Sequence, residues 1–306
     1  MIRVRDITRV FGPVTAVDAL SFEVARGEIF GIVGPDGAGK STLLRLMSGI
    51  LFAGKGSIVI DGVDVRDDPY RIKEKLAYMP QRFGLYEDLT VEENIYFFGR
   101  LFGVPGREIR NRLPRLYEFS RLGPFKDRLA GKLSGGMKQK LGLACCLVHK
   151  PAVILLDEPT NGVDPVSRRE FWKILYDLLG EGVTIVVSTA YLDEAERCNR
   201  VALMHEGKFI RTGAPAEIKG SVTGALLEIK SDDVWKAETL MKKSGRFRAV
   251  IREGEALRVF VPDGRRGAAA IRAMLVKKGL AVRSIGVKAP SLENCFMEII
   301  AEGGAS

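Results

Sequence analysis

The chain has 306 residues, 46% of them apolar and 28% charged, the length and balance of a soluble globular protein with one large or two ordinary domains. Apolar runs such as residues 153–156 are far too short to span a bilayer, and MIRVRDITRV lacks the apolar centre of a signal peptide, so a cytosolic setting is expected. The net charge of +9 suits solubility, nucleic acid or an anionic membrane surface, and no Lys/Arg block is dense enough to choose among them.

Residues 2–26 carry two β-rich runs, IRVRDI and the alternating LSFEV, around FGPVTAVD with its turn residues Gly12 and Pro13. They predict an antiparallel layer ahead of the next strand. Phe11 is suited either to stacking on an adenine ring or to core packing. The apolar run 28–33 then leads into GPDGAGKST, residues 34–42, and a helical run, 41–50, leads out. This is the pattern G-x-x-x-x-G-K-[ST] in its strand–loop–helix setting. In such a loop Gly34, Asp36, Gly37, Ala38 and Gly39 turn backbone N–H groups toward phosphates, and the helix beginning near Ser41 and Thr42 adds its dipole. Lys40 reaches the β- and γ-phosphates of a nucleoside triphosphate and Ser41 ligates Mg²⁺.

Residues 56–65 read as a hairpin with a D-G turn, and residues 71–81 as a basic helix followed by the short strand of LAYMPQ. From residue 83 the composition turns helical. Thr90 is placed to cap VEENIYFFGRLFG, with Glu93 completing a capping box, and a second helix over 106–120 is expected to be interrupted at Pro114. At least half of the cluster Tyr96, Phe97, Phe98 and Phe102 must face the core or a partner.

LSGGMKQK, residues 133–140, opens another helix. A Ser N-cap followed by Gly135 and Gly136 is a second anion-attracting terminus, since hydroxyl, bare amides and dipole all point outward. Cys145 and Cys146 follow on that helix, with Cys198 and Cys295 further on. None has C-x-x-C spacing, so core thiols in a reducing compartment are expected rather than disulfides or a metal site. In KPAVILLDEPT an apolar strand delivers Asp157 and Glu158 to its C-terminal end. Asp157 is placed for the Mg²⁺ shell and Glu158 to orient or deprotonate an attacking water.

The ordered set GPDGAGKST, Gln81 in MPQ, LSGGMKQK, ILLDEPT and Asp164 in NGVDP resembles the nucleotide-binding subunit of an ABC transporter over about residues 1–217, with LSGG as the discriminating element. FGLYEDLTVEENI and STAYLDEAERC further resemble the ATPases of bacterial multidrug-type and polysaccharide-type exporters whose permease is a separate polypeptide. The resemblance implies that Phe11 stacks on adenine and that Gln81 senses Mg²⁺ and couples to the permease. Ser134, Gly135 and Gly136 then contact the γ-phosphate of ATP held by the opposite subunit, and Asp164 lies in the loop crossing the dimer interface. ATP and Mg²⁺ are the implied cofactors. The implied partners are a transmembrane permease and a second ATPase, identical or different, with no nucleic acid; the implied location is cytoplasmic, peripheral on the inner face of the cell membrane.

Two positions depart from the family. Asp36 stands where Asn is usual, and Ala190 stands where a His usually follows the Ser-Thr that ends the next strand. Loss of that His is a feature of some first ATPase halves in tandem-ATPase exporter subunits. The alternatives to an active exporter engine are therefore a hydrolysis-impaired regulatory ATPase paired with a His-containing one, or a non-transport ABC protein. With only 93 residues between Lys40 and Ser134 and no heptads, the chain lacks the coiled-coil insertion common in the latter.

Residues 184–189 predict a buried strand and 201–210 a hairpin, after which Gly213, Pro215 and Gly220 mark a boundary. Residues 224–303 then alternate β-α-β-β-α-β before a closing helix over 291–301. The expected architecture is α/β: a P-loop NTPase core with an antiparallel β layer and a helical subdomain of about residues 83–133, within domain 1–217. A small α+β, ferredoxin-like accessory domain over 221–303 follows.

Overall fold

Alternation of buried Ile2, Val4 and Ile7 with exposed polar residues makes β1 (Ile2–Phe11) in the computed structural model, which describes residues 1–303. It pairs antiparallel with β2 (Val14–Val24) across a turn in which Gly12 takes φ +54°. Next come β3 (Ile29–Val33), α1 (Lys40–Met47), β4 (Lys55–Ile60) and β5 (Val63–Asp64). Asp61 and Gly62, joining the last two, both have positive φ, as a two-residue hairpin turn requires. All of these strands except β3 form a four-stranded sheet in the order β2-β1-β4-β5.

The chain continues with α2 (Pro69–Lys75), β6 (Leu76–Met79), α3 (Val91–Leu101), α4 (Gly106–Ser120) and α5 (Gly135–Leu147). After them come β7 (Val153–Asp157), α6 (Pro165–Gly180), β8 (Thr184–Thr189), α7 (Leu192–Ala195), β9 (Arg200–His205) and β10 (Lys208–Gly213). The second sheet has the order β10-β9-β3-β8-β7-β6, and the pairs β9–β3, β3–β8, β8–β7 and β7–β6 are parallel. Every residue of β3, β7 and β8 is buried, as a parallel sheet covered on both faces demands. One apolar core joins the two sheets and α1 through Ile7, Val17, Phe30, Leu43, Met47 and Ile60.

Within the helical stretch the Thr90 capping box forms in both directions: Glu93 N–H donates to Thr90 Oγ1, and Thr90 N–H to Glu93 Oε2. The expected break at Pro114 does not occur, and α4 runs through it. Pro114 is exposed, so its missing N–H costs one surface hydrogen bond, while buried Leu113 and Leu116 on either side hold the helix down. Of the two settings open to the aromatic cluster, core or partner, the helix core takes little of it. The buried face of α3 is Val91, Asn94, Ile95 and Gly99, whereas Phe97 and Phe98 pack at the surface with Phe83 and Tyr86, ring centroids 4.4–6.4 Å apart.

The contacts divide the chain into two units, Met1–Phe209 and Ile210–Ser306. Past β10 the second unit comprises α8 (Pro215–Ser221), β11 (Ala225–Ser231), α9 (Val234–Lys243), β12 (Ile251–Glu253), β13 (Ala256–Val261), α10 (Gly264–Lys277), β14 (Val282–Lys288) and α11 (Leu292–Gly303). Its sheet has the order β12-β13-β11-β14 with every neighbouring pair antiparallel. Leu227, Ile229 and Val259 pack with Met241 of α9 and with Ile271 and Leu275 of α10, while Leu226 and Phe260 pack with Cys295 of α11. All four cysteines are buried. No helix of the described residues is long and apolar enough to cross a membrane.

Candidate active site

The C-terminal ends of β3, β6, β7 and β8 meet at one edge of the parallel sheet, where open α/β sheets bind ligands. From β3 the chain enters the phosphate loop, which leaves no room for side chains at two glycines. A Cβ on Gly34 would lie 2.1 Å from the Met204 carbonyl oxygen, and one on Gly39 would lie 2.1 Å from that of Ala16. Gly39 also holds φ +106° as it starts α1. Asp36, Gly37, Ala38, Gly39, Lys40, Ser41 and Thr42 line a cleft of about 600 Å³ together with Val14, Gln81, Glu158 and Glu206.

Lys40 is 4% exposed, and each of its contacts is a fixed oxygen. Its ammonium donates to the carbonyls of Gly34 (2.8 Å) and Pro35 (3.0 Å) and lies 3.1 Å from Glu158 Oε1. The other Glu158 oxygen accepts from Gln81 Nε2 at 3.1 Å and Asn161 Nδ2 at 3.2 Å. Glu158 itself sits in the left-handed region at φ +47°, a conformation that costs a non-glycine residue roughly 1–2 kcal/mol. Ser188 stabilises that turn, since the Glu158 N–H donates to both its carbonyl (3.1 Å) and its hydroxyl (3.0 Å).

Asp157 accepts from Ser41 Oγ at 2.9 Å, from Ser188 Oγ at 2.7 Å and from Tyr78 OH at 3.3 Å. Burial, and then the adjacent Asp157 carboxylate, push the Tyr78 phenol up to about 12, so it is a neutral donor at physiological pH. Hydroxyl, carboxylate and the Gln81 amide make an all-oxygen set of the kind Mg²⁺ takes, with Ser41 and Asp157 already within hydrogen-bonding reach of each other.

Three expected site elements lie elsewhere in the first unit. Ser134 caps α5, accepting from Met137 N–H at 3.4 Å, and Gly135 and Gly136 form its first turn outside the cleft lining. A Cβ on Gly136 would fall 2.5 Å from Ser167, which binds Asp164, so signature and Asp164 loop share one surface. Asp164 caps α6 through the N–H groups of Val166 (3.0 Å) and Ser167 (2.9 Å). Hydrogen bonds from Ser167 hold its carboxyl below the usual range. Phe11 also stands outside the lining, 42% exposed at the end of β1, with the Arg9 guanidinium 4.6 Å from its ring centroid.

Sequence reasoning overlooked Ser188, Tyr78, Asn161 and Tyr191. A polar Ser inside the apolar strand TIVVST was the available signal for the first; the other three emerge only once strands and turns are placed side by side.

A model of the ABC transporter family matches residues 17–161. The probable multidrug ABC transporter ATP-binding protein YbhF of Escherichia coli (strain K12) is 41% identical over 298 residues, 95% of this chain and 50% of the relative, so this chain spans half that protein's length. Nod factor export ATP-binding protein I of Rhizobium sp. (strain N33) is 35% identical over 295 residues, 96% of this chain and 94% of the relative. Among solved structures, an ATP binding subunit of an ABC transporter aligns with TM-score 0.65 and 30% identity over 72% of this chain and 92% of that one. The ATP-binding cassette MJ0796, a dimer in a post-hydrolysis state bound to ADP and Pi, aligns with TM-score 0.63 and 26% identity over 70% and 98%. With a strand-end cluster of this geometry and a relative of matching length at that identity, the chain belongs to the ATP-binding proteins of ABC transporters.

Proposed function

We propose that this chain binds MgATP in the cleft at the phosphate loop and hydrolyses it to power an exporter through a separate membrane permease. The observation that carries the reading is the convergence of Lys40, Ser41, Gln81, Asp157 and Glu158 around one cleft from the ends of three strands, β3, β6 and β7. Loop amides and Lys40 hold the triphosphate, with Phe11 and Val14 at the base end of the nucleotide. Ser41, Asp157 and Gln81 would hold Mg²⁺, which supplies charge neutralisation at the β- and γ-phosphates. Water attacks the γ-phosphorus, the bond to the β-bridging oxygen breaks, and Glu158 orients the water and takes its proton, releasing ADP and phosphate. Positioning and charge do the chemistry, and the rigid strand ends supply both.

The signature Ser134 to Gly136 serves a second cassette's nucleotide in a head-to-tail dimer, a reading supported by its place beside the Asp164 loop and outside this chain's own cleft. The dimeric state of the cassette MJ0796 supports the same assembly. The permease docks on the helical subdomain of about residues 83–133, with the surface aromatics Phe97 and Tyr86 as its contact. On this reading the ATPase domain covers 1–217, and residues 221–303 form a ferredoxin-like accessory domain, supported by the strand order and connectivity. The working place is the cytoplasmic face of the membrane.

A second reading rests on Ala190, whose methyl cannot bridge the γ-phosphate and Glu158. The chain then pairs with a His-containing ATPase whose site its signature completes. Phosphate release by the purified protein tests both. Glu158→Gln is expected to lower turnover by about a hundredfold or more while nucleotide binding persists. Wild-type turnover in that variant removes Glu158 as the base. Ala190→His is expected to accelerate a slow wild type by roughly a hundredfold if the second reading holds; a fast wild type that gains nothing sets it aside.

A further inference from the structure

Ala190 ends at a methyl, yet the residue after it is held at its backbone N–H, one ring face and its hydroxyl. Tyr191 N–H donates to Thr189 Oγ1 at 2.9 Å, and the same hydroxyl donates to Glu194 Oε2 at 2.9 Å. Glu194 is fully buried, accepts also from Thr160 Oγ1, and lies 3.4 Å from Arg168 Nε. Arg168 in turn stacks its guanidinium 4.4 Å from the Tyr191 ring centroid. The ring is therefore gripped from its backbone and from one face. Its hydroxyl donates to Asn161 Oδ1 at 3.4 Å, and Asn161 Nδ2 donates to Glu158 Oε2 at 3.2 Å.

An amide has one acceptor edge and one donor edge. A hydroxyl on the Asn161 oxygen fixes the NH₂ edge toward Glu158, and the Asn161 N–H on the Glu158 carbonyl at 3.1 Å ties the two residues into one turn. Gln81 supplies the second bond to the same carboxylate oxygen, leaving Oε1 to Lys40. We propose that Tyr191 and Asn161 form a hydroxyl–amide relay that orients Glu158 in a site without the usual His. Both are positioning residues, since neither touches the reacting atoms. The proposal rests on Glu158 acting on water, as argued above.

The test uses the full chain with Tyr191→Phe, Asn161→Ala, and Tyr191→Phe combined with Ala190→His. Steady-state turnover, KM for ATP and thermal midpoint are measured for each. The relay predicts that Tyr191→Phe lowers kcat about three- to tenfold, the worth of one hydrogen bond, with KM and midpoint unchanged. Asn161→Ala lowers kcat at least as far, and adding Ala190→His recovers the loss. Wild-type kcat in Tyr191→Phe overturns the relay, as does a fall in kcat accompanied by changes in KM and midpoint, which marks a structural role. If the wild type does not hydrolyse ATP, the ATPase reading is what fails. The relay is then decided by the side-chain amide ¹⁵N–¹H signals of Asn161, assigned by their loss in Asn161→Asp. Their movement in both Tyr191→Phe and Glu158→Gln supports it, and indifference to either overturns it.

Discussion

Each unit of this chain holds a cluster of opposite charges, buried in the first and partly exposed in the second, and the two are built differently. In the second unit Arg258 of β13 reaches Glu228 Oε2 at 3.2 Å and a Glu253 carboxylate oxygen at 2.6 Å. Glu228 lies directly opposite Arg258 in the strand ladder, and Glu253 comes from the neighbouring hairpin strand. Asn294 completes the set, donating to Glu253 at 3.0 Å. Ordinary pleated register brings these groups together, and no unusual backbone is needed. Lys40, Asp157 and Glu158 come instead from two separate strand ends, beside a cleft, and their placement requires Gly39 and Glu158 in the left-handed region. Charges that ladder geometry would not have collected, held at a conformational cost next to open space, are the mark of a site that meets a ligand. Charges that the ladder collects anyway mark a fastened sheet.

The largest expected effect strikes the first cluster. Lys40→Ala removes the buried cation from three oxygen partners and leaves the Glu158 carboxylate without its counter-charge. Nucleotide affinity should fall by about tenfold or more, as loss of hydrogen bonds to a charged group predicts, and turnover should fall further still. Unchanged binding of a fluorescent ATP analogue would break the comparison at its root. The matching change in the second cluster is Arg258→Met, which sets Glu228 and Glu253 beside each other without the guanidinium. This partly exposed group should cost about 1–3 kcal/mol of stability in its own unit, less than a fully buried pair, and leave ATP turnover untouched. The two tryptophans separate the readouts, because Trp172 is buried in the first unit and Trp235 is exposed in the second. A loss of turnover in Arg258→Met would show that the second cluster is not merely a fastening.

How much of this was legible follows the same division. The phosphate loop, the Thr90 box and the Asp157–Glu158 pair are encoded over a few consecutive residues and could be read directly. Ser188 and Tyr78 act across the register of parallel strands, and Tyr191 across the turns that follow two of them, so all three depend on which strands become neighbours. The helix α6 escaped although Asp164-Pro165 is a capping start and Phe171, Leu175 and Leu178 recur at helical spacing; Arg168 escaped with it. The contact division at 209/210 falls inside β10, ahead of α8, which packs on α11. The β-α-β-β-α-β order of the second unit was visible in alternating apolar residues, but β12 shrank to three residues, Ile251–Glu253, since only they find partners on β13.

The smallest expected effect concerns a charge that neither the ladder nor a ligand compensates. Glu298 of α11 is buried, and its Oε2 meets no donor. Burial pushes its carboxyl up, Arg248 at 3.7 Å pulls it down, nearby Glu302 pushes it up, and the net direction is above the ordinary value of 4.5. The folded chain therefore holds a proton that the unfolded chain has lost over the interval between those two values. The contribution to stability is complete below the unfolded value and is lost as pH rises through the folded one. Glu298→Gln keeps the shape of the protonated acid and removes the titration. Its urea midpoint, followed through Trp235 with Arg252 stacked 3.5 Å from its ring, should match the wild type at pH 4 and exceed it at pH 7. Equal midpoints at pH 7 would mean that Arg248, which also pairs with Glu302, already neutralises Glu298 and that the second unit contains no uncompensated charge at this position.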